Sequence, residues 1–212
     1  MTKTKKVLWG GGVLAGVLLV VLGAVWIYAG ANARSEVHDT ITREQIVGSP
    51  DMSPSTILAG IKEAGLEGKV AIPSCSVADV TVSNGSEARC FAEYMRVHAL
   101  ESTGGRTYST MGRFLDAKGN EVFTEDEAAK TPNGRPVSNP ARDLWVSQRA
   151  LATGLELAYV GEQVSLFSIA TGLVFLIIGV GFLVMIFAGG IMGNPFAKDA
   201  AASPEPPTTP EA

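Results

Sequence analysis

Two long apolar runs, one near each end of the chain, dominate the pattern of hydrophobic and polar positions. The first covers residues 7–29 and the second covers residues 164–193, and neither contains a charged side chain. A helix needs about 20 apolar residues to cross roughly 30 Å of hydrocarbon. The pattern therefore predicts two transmembrane helices that flank a polar middle section, residues 30–163.

The middle section alternates short apolar stretches with turn residues, which is typical of a small α+β domain. Ser53 and Ser86 are predicted to cap two helices, because a serine side chain can accept a hydrogen bond from a first-turn backbone N–H. These helices are expected to end at Gly65 and Gly104, since glycine readily adopts the left-handed backbone of a helix end. Short strands are predicted at residues 37–42, 70–72, 77–82, 107–115 and 121–123.

A long final helix is predicted to begin at Asn139-Pro140, because no further proline interrupts the chain before Pro195. Its first part, residues 139–163, is expected to lie outside the membrane and to lead into the second span. The tail, residues 194–212, is acidic and rich in proline and has too few apolar residues to fold, so it is predicted to be disordered and cytoplasmic.

The charges predict an orientation. Lys3, Lys5 and Lys6 precede the first span, and basic residues next to a span stay in the cytoplasm. Residues 1–6 and the tail are therefore expected in the cytoplasm, with the middle section on the outer face of the plasma membrane. The competing interpretation of the first span is a cleaved signal peptide, with a small-residue site at 31–33. Its 23-residue length and its flanking aromatic residues favour a retained anchor.

The chain has two cysteines, Cys75 and Cys90, and both lie in the proposed external section. In an oxidising compartment such a pair predicts one disulfide. The alternative is a pair of small buried thiols in a reducing compartment.

Glycines at a spacing of four residues occur in both spans: Gly12 and Gly16 in the first, and Gly189 and Gly193 in the second. This spacing allows transmembrane helices to approach closely, so these four residues are predicted to lie at helix–helix contacts. The alternative is that they reflect only the general frequency of glycine in membrane helices.

Four segments carry a resemblance to a known family: ITREQIVGSPDMSP (41–54), PSCSVA (73–78), ARCFAEYMRVHALESTGGRTYSTMGRF (88–114) and NPARDLWVSQRALATGLELAYVGEQVSLFSIATG (139–172). The chain resembles a family of two-pass integral membrane proteins common in actinobacteria. The resemblance implies retained helices at both ends. Members are mostly of unknown role, and some carry an automated label as subunits of aromatic ring-opening dioxygenases.

The dioxygenase label can be compared with the residues. A non-haem iron site of that type needs two histidines and one carboxylate, so His38 and His98 would both have to serve, with Glu101 one helical turn from His98. A histidine near an acid is common on helix surfaces, and no other catalytic motif occurs, so no catalytic, cofactor-binding or metal-binding residue is predicted.

The sequence favours a non-catalytic membrane protein of the cell envelope that acts through contacts with other membrane or envelope proteins, as an oligomer or as an accessory subunit of a larger complex. The alternative function is a metal-dependent, dioxygenase-like enzyme. Nucleic acid is not an expected partner, because the middle section is mildly acidic and has no basic stripe.

Overall fold

The computed structural model describes residues 3–188 and divides the chain into two compact units. The first, which we call the helix-pair unit, comprises Met1–Asn32 and Ser165–Ala212, and the second, the central module, comprises Ala33–Val164. The elements in chain order are α1 (Lys3–Arg43), α2 (Pro54–Glu63), α3 (Gly85–Ser102), β1 (Phe114–Leu115), β2 (Glu121–Val122) and α4 (Pro140–Phe187).

The two long helices, α1 and α4, are apolar and long enough to cross a membrane by length and composition. Between them lies a small region of mixed helices and strands, as the fold class predicted from the sequence requires. The predicted disordered tail, residues 194–212, lies outside the described residues.

The strand predicted at residues 37–42 is wrong, because α1 continues as a helix to Arg43. Val37 and Ile41 are four residues apart and therefore share one face of the helix. Ile41 is buried against Val82 and Ala88, and Val37 packs at the edge of the same cluster with Leu155. The β-branched residues of this segment favour a strand, but packing of their helical face against these partners outweighs that preference.

α2 begins and ends where the sequence predicts. Ser53 has an extended backbone, and its hydroxyl accepts the backbone N–H of Thr56 at 3.5 Å. Pro54 occupies the first turn, where its missing N–H has no cost. Gly65 follows the helix with a φ of 68°, the left-handed backbone that ends many helices.

The cap of α3 is Asn84 and not Ser86, so that prediction is wrong by two residues. The Asn84 side-chain oxygen accepts the backbone N–H of Glu87 at 3.0 Å. In return, the Glu87 carboxylate accepts the backbone N–H of Ser83 at 2.8 Å, which closes a reciprocal cap. The predicted end is confirmed: α3 stops at Ser102 and is followed by Gly104 with a φ of 62°.

The strands predicted at 70–72 and 77–82 are not formed. Residues 77–82 instead make irregular contacts with residues 46–48, through Gly48 N–H to Val80 O and Val82 N–H to Ile46 O, both at 2.9 Å. The left-handed φ of 58° at Asp79 bends the chain and prevents a regular ladder. A Cβ at Gly48 would lie 1.7 Å from the Val77 carbonyl oxygen, so only glycine allows this approach.

The predicted β-hairpin is present but short, with β1 and β2 antiparallel. The Asp116 carboxylate organises its turn by accepting the backbone N–H groups of Lys118 and Asn120, each at 2.8 Å. The Asn120 side chain and these backbone groups lower the pKa of Asp116. The first half of the predicted strand 107–115 is a turn, closed by the Thr110 N–H to Thr107 O bond at 3.0 Å.

α4 starts at the predicted position. Asn139 Oδ1 accepts the backbone N–H of Ala141 at 3.0 Å, and its Nδ2 donates to Gly112 O at 2.8 Å. The buried Asn139 side chain therefore caps the helix and joins its start to the segment before β1. The helix then runs unbroken for 48 residues.

Candidate functional site

Small residues at a spacing of seven line the contact between the two helices of the helix-pair unit. They are Gly16, Gly23 and Gly30 on α1, and Ser165, Gly172 and Gly179 on α4, and all six are buried. We call this set the small-residue seam. A seven-residue repeat keeps one stripe of a helix facing its partner in left-handed packing.

The backbones approach closely along this seam. A Cβ at Gly23 would lie 2.7 Å from Gly172 O, and a Cβ at Gly30 would lie 2.7 Å from Ser165 O. A Cβ at Gly16 would lie 2.6 Å from the Leu183 side chain. Because the obstacles at Gly23 and Gly30 are backbone atoms, a side chain there would force the helices apart.

Of the four glycines predicted from their four-residue spacing, only some can be compared with the seam. Gly16 is part of the seam, and Gly12 is half-buried. Gly189 and Gly193 lie outside the described residues, so their packing role remains a prediction. Gly172 and Gly179 were also expected from the sequence to extend the thin face of the second helix, whereas sequence reasoning missed Gly23 and Gly30, although their seven-residue spacing from Gly16 is visible in the chain.

The central module contains the predicted Cys75–Cys90 disulfide. Cys90 is buried in the second turn of α3, and the bond ties this helix to the loop before it. Tyr94, one turn further along α3, is fully buried and donates its hydroxyl to Cys75 O at 2.6 Å. Burial raises the pKa of Tyr94, and the neighbouring Glu93 charge adds to the rise. The hydroxyl therefore stays protonated and continues to donate at neutral pH.

The N-terminus of α3 packs directly on α4 within the central module. A Cβ at Gly85 would lie 2.7 Å from the Tyr159 Cα and 2.8 Å from Glu162 Oε2. The Glu162 side chain is only 9% exposed and forms an ion pair with Arg34 of α1 at 3.5 Å. This contact brings α1, α3 and α4 together at one place, which we call the three-helix junction.

The two histidines have separate surroundings. His38 Nδ1 donates to Ser83 O at 2.6 Å, just before α3 begins. His98 lies near the other end of α3, with Nδ1 3.0 Å from Glu101 Oε2 and Nε2 3.5 Å from Asp51 Oδ2. At 1.5 Å per helical residue, the 14 residues from Asn84 to His98 place the two sites roughly 20 Å apart.

A shared metal site with both histidines is therefore excluded by distance in this structure. Both nitrogens of His98 also face carboxylates, so the imidazole already has Glu101 and Asp51 as neighbours. Within residues 3–188, no group of three or more His, Cys, Asp or Glu side chains is placed to hold a metal ion.

Comparison with known proteins adds no assignment: no family model, no curated protein and no solved structure matches this chain.

Proposed function

We propose that this chain is a two-pass integral membrane protein of the cell envelope that acts through contacts made by its central module. The observation that carries the proposal is the helix pair, which buries its small residues and exposes its large apolar ones. Leu14 is 61% exposed, and Phe167 and Ile177 are each 67% exposed. In water such a surface would aggregate, whereas lipid chains would cover it.

The proposed orientation has residues 1–6 in the cytoplasm and the central module outside. The lysines at positions 3, 5 and 6 support the first part through the preference of basic flanks for the cytoplasm. The Cys75–Cys90 disulfide supports the second part, because disulfides persist in oxidising compartments. The resemblance to the actinobacterial two-pass family is in keeping with the same arrangement and remains part of the proposal.

Labelling of single added cysteines tests the orientation. Lys118→Cys, in the hairpin turn, should react with a membrane-impermeant maleimide in intact cells, and Thr4→Cys should react only after permeabilisation. The native cysteines are joined and should stay unlabelled without reductant. Recovery of the protein in the soluble fraction would overturn the proposal, and the reverse labelling pattern would overturn the orientation.

The enzymatic alternative makes an opposite prediction about metal. An iron oxygenase of the kind that the family label suggests would purify with stoichiometric iron and would lose it in both His38→Ala and His98→Ala, since each would remove one of three ligands. Under our proposal the two variants keep the wild-type fold and partners. Metal analysis of the three purified proteins separates the two functions.

A further inference from the structure

A groove of about 350 Å³ lies beside the first turns of α4 in the central module. Polar side chains supply most of its lining: Tyr108, Arg113, Ser138, Arg142, Asp143 and Ser147. Its volume is at the lower end of the range of small-molecule sites, about 300–1,000 Å³. The groove therefore suits a ligand the size of a sugar unit.

Arg142 is held in place at this groove. Its guanidinium carbon lies 3.7 Å from the centre of the Tyr108 ring, and its Nη1 donates to Met111 O at 2.9 Å. Met111 is fully buried, so the accepting carbonyl belongs to the packed core. A guanidinium has five N–H donors, and the one used here leaves the others for a ligand. The group is pre-organised, which reduces the entropy lost on binding.

Arg113 adds a second positive charge. It is exposed, and its side chain has no hydrogen bond or ion pair within residues 3–188. Asp143 lines the same groove but is not within ion-pair distance of either arginine. Two guanidinium groups therefore face one groove without a paired acid, and this favours an anion between them.

We infer that this groove binds an acidic sugar, meaning a sugar unit that carries a carboxylate or phosphate group. The planar guanidinium fork matches both anions and forms paired hydrogen bonds with them. Ser138, Ser147 and the Asp143 carboxylate are suited to the neutral hydroxyl groups of the same ligand. A bare anion would make no use of Asp143, and an acidic peptide side chain would also leave it unpaired.

A lipid phosphate does not fit this position. α4 is continuous from Arg142 to Val164, the start of the apolar run, and 22 residues of helix span about 33 Å. The headgroup layer extends only about 5–8 Å beyond the hydrocarbon. This step rests on the proposed function for the membrane boundary, whereas the groove does not depend on it.

Calorimetric titration of the full chain in detergent, with its disulfide intact, tests the inference. The probes are glucuronate, glucose 6-phosphate, glucose, inorganic phosphate and an acetylated glutamate dipeptide. We expect the two acidic sugars to bind with a dissociation constant of about 1 mM or lower, and glucose to give no binding. Arg113→Gln should weaken binding at least tenfold, since charged hydrogen bonds are lost.

Arg135→Gln is the matched control, because Arg135 is also exposed, its side chain has no hydrogen bond or ion pair within the described residues, and it does not line the groove. It should leave binding within about twofold of the wild type, as expected of a surface change away from the site. Arg142→Gln should also weaken binding at least tenfold, but Arg113→Gln decides the test, because the Arg113 side chain has no hydrogen bond or ion pair within residues 3–188, whereas Arg142 binds Met111 O. Equal binding of glucose, of inorganic phosphate or of the dipeptide would overturn the inference, as would unchanged binding by Arg113→Gln. None of these results bears on the orientation, which cysteine labelling tests separately.

Discussion

Replacement of Gly23 by leucine tests whether the small-residue seam holds the helix pair together. A Cβ at this position would lie 2.7 Å from both Gly172 O and Leu176 N, while ordinary contacts begin at 3.4 Å. Both obstacles are backbone atoms of α4 and cannot rotate away. The helices must therefore separate by several tenths of an ångström at least, and leucine adds three further carbons beyond the Cβ.

The expected cost follows from packing. Inserting carbons into a close-packed contact typically costs about 1–3 kcal/mol. A gap of 0.5–1 Å also removes about a quarter to a half of the dispersion energy of neighbouring contacts. Leucine has a better helix propensity than glycine, by up to about 1 kcal/mol, and this offsets part of the loss. The control must therefore carry the same propensity change.

Gly11→Leu provides that control, because a Cβ at Gly11 would meet nothing within 4 Å and the residue is exposed. Both variants exchange glycine for leucine in α1, so the propensity term cancels in their difference. Unfolding of the detergent-solubilised protein by added SDS, followed by tryptophan fluorescence, should show Gly23→Leu to be less stable than Gly11→Leu by about 2–3 kcal/mol. Stabilities that agree within about 0.5 kcal/mol would refute the role of the seam.

Three further predictions concern the central module. The Cys75→Ser/Cys90→Ser double variant should lose about 3 kcal/mol of unfolding free energy in urea, because the disulfide joins residues 15 positions apart and closing a loop of about that length stabilises by this amount. Unchanged midpoints of urea unfolding would contradict this. Gly85→Ala should destabilise the three-helix junction by about 1–3 kcal/mol relative to Gly154→Ala, whose Cβ meets open space, and equal melting temperatures would disprove it. Burial opposes ionisation of Glu121, but hydrogen bonds from Gly112 and Asn139 and the charge of Arg106 outweigh it and lower its pKa. The ionised Glu121 should therefore contribute fully to the free energy of unfolding above its ordinary pKa of 4.5, and this contribution should fade as the pH falls further. Glu121→Gln should flatten the curve of unfolding free energy against pH in this range. Parallel curves for the wild type and the variant would rule this out.

Local signals in the sequence predicted several element boundaries. Ser53, Gly65 and Asn139 act through hydrogen bonds or backbone angles within a few residues of themselves, so the chain around them contains the needed information. Residues 37–42 were mispredicted because their helix depends on Val82 and Leu155, which are distant in the chain. Propensity alone could not reveal those partners.

The candidate sites differ in the same way. The small-residue seam was within reach of the sequence, because each of its helices repeats a small residue every seven positions, but the four-residue motif of Gly12 and Gly16 drew the prediction instead. The groove lined by Arg113 and Arg142 could not be predicted from the sequence. Arg113 and Arg142 are 29 positions apart in the sequence. They line the same groove because the Asn139 side chain donates to Gly112 O and so holds the start of α4 beside the segment before β1.

The seam also bears on whether the first span is a cleaved signal peptide. Gly172 and Gly179 are buried, and α1 covers them: Gly23 and Ile27 lie against Gly172, and Val20 and Gly16 lie against Gly179. A signal peptide needs a short apolar run but no matched partner along a second helix. Removal of residues 1–33 would expose the α4 half of the seam, and a lone apolar span gains nothing from small residues at seven-residue spacing. Paired seams on both helices therefore favour the proposed retained anchor over a cleaved signal peptide.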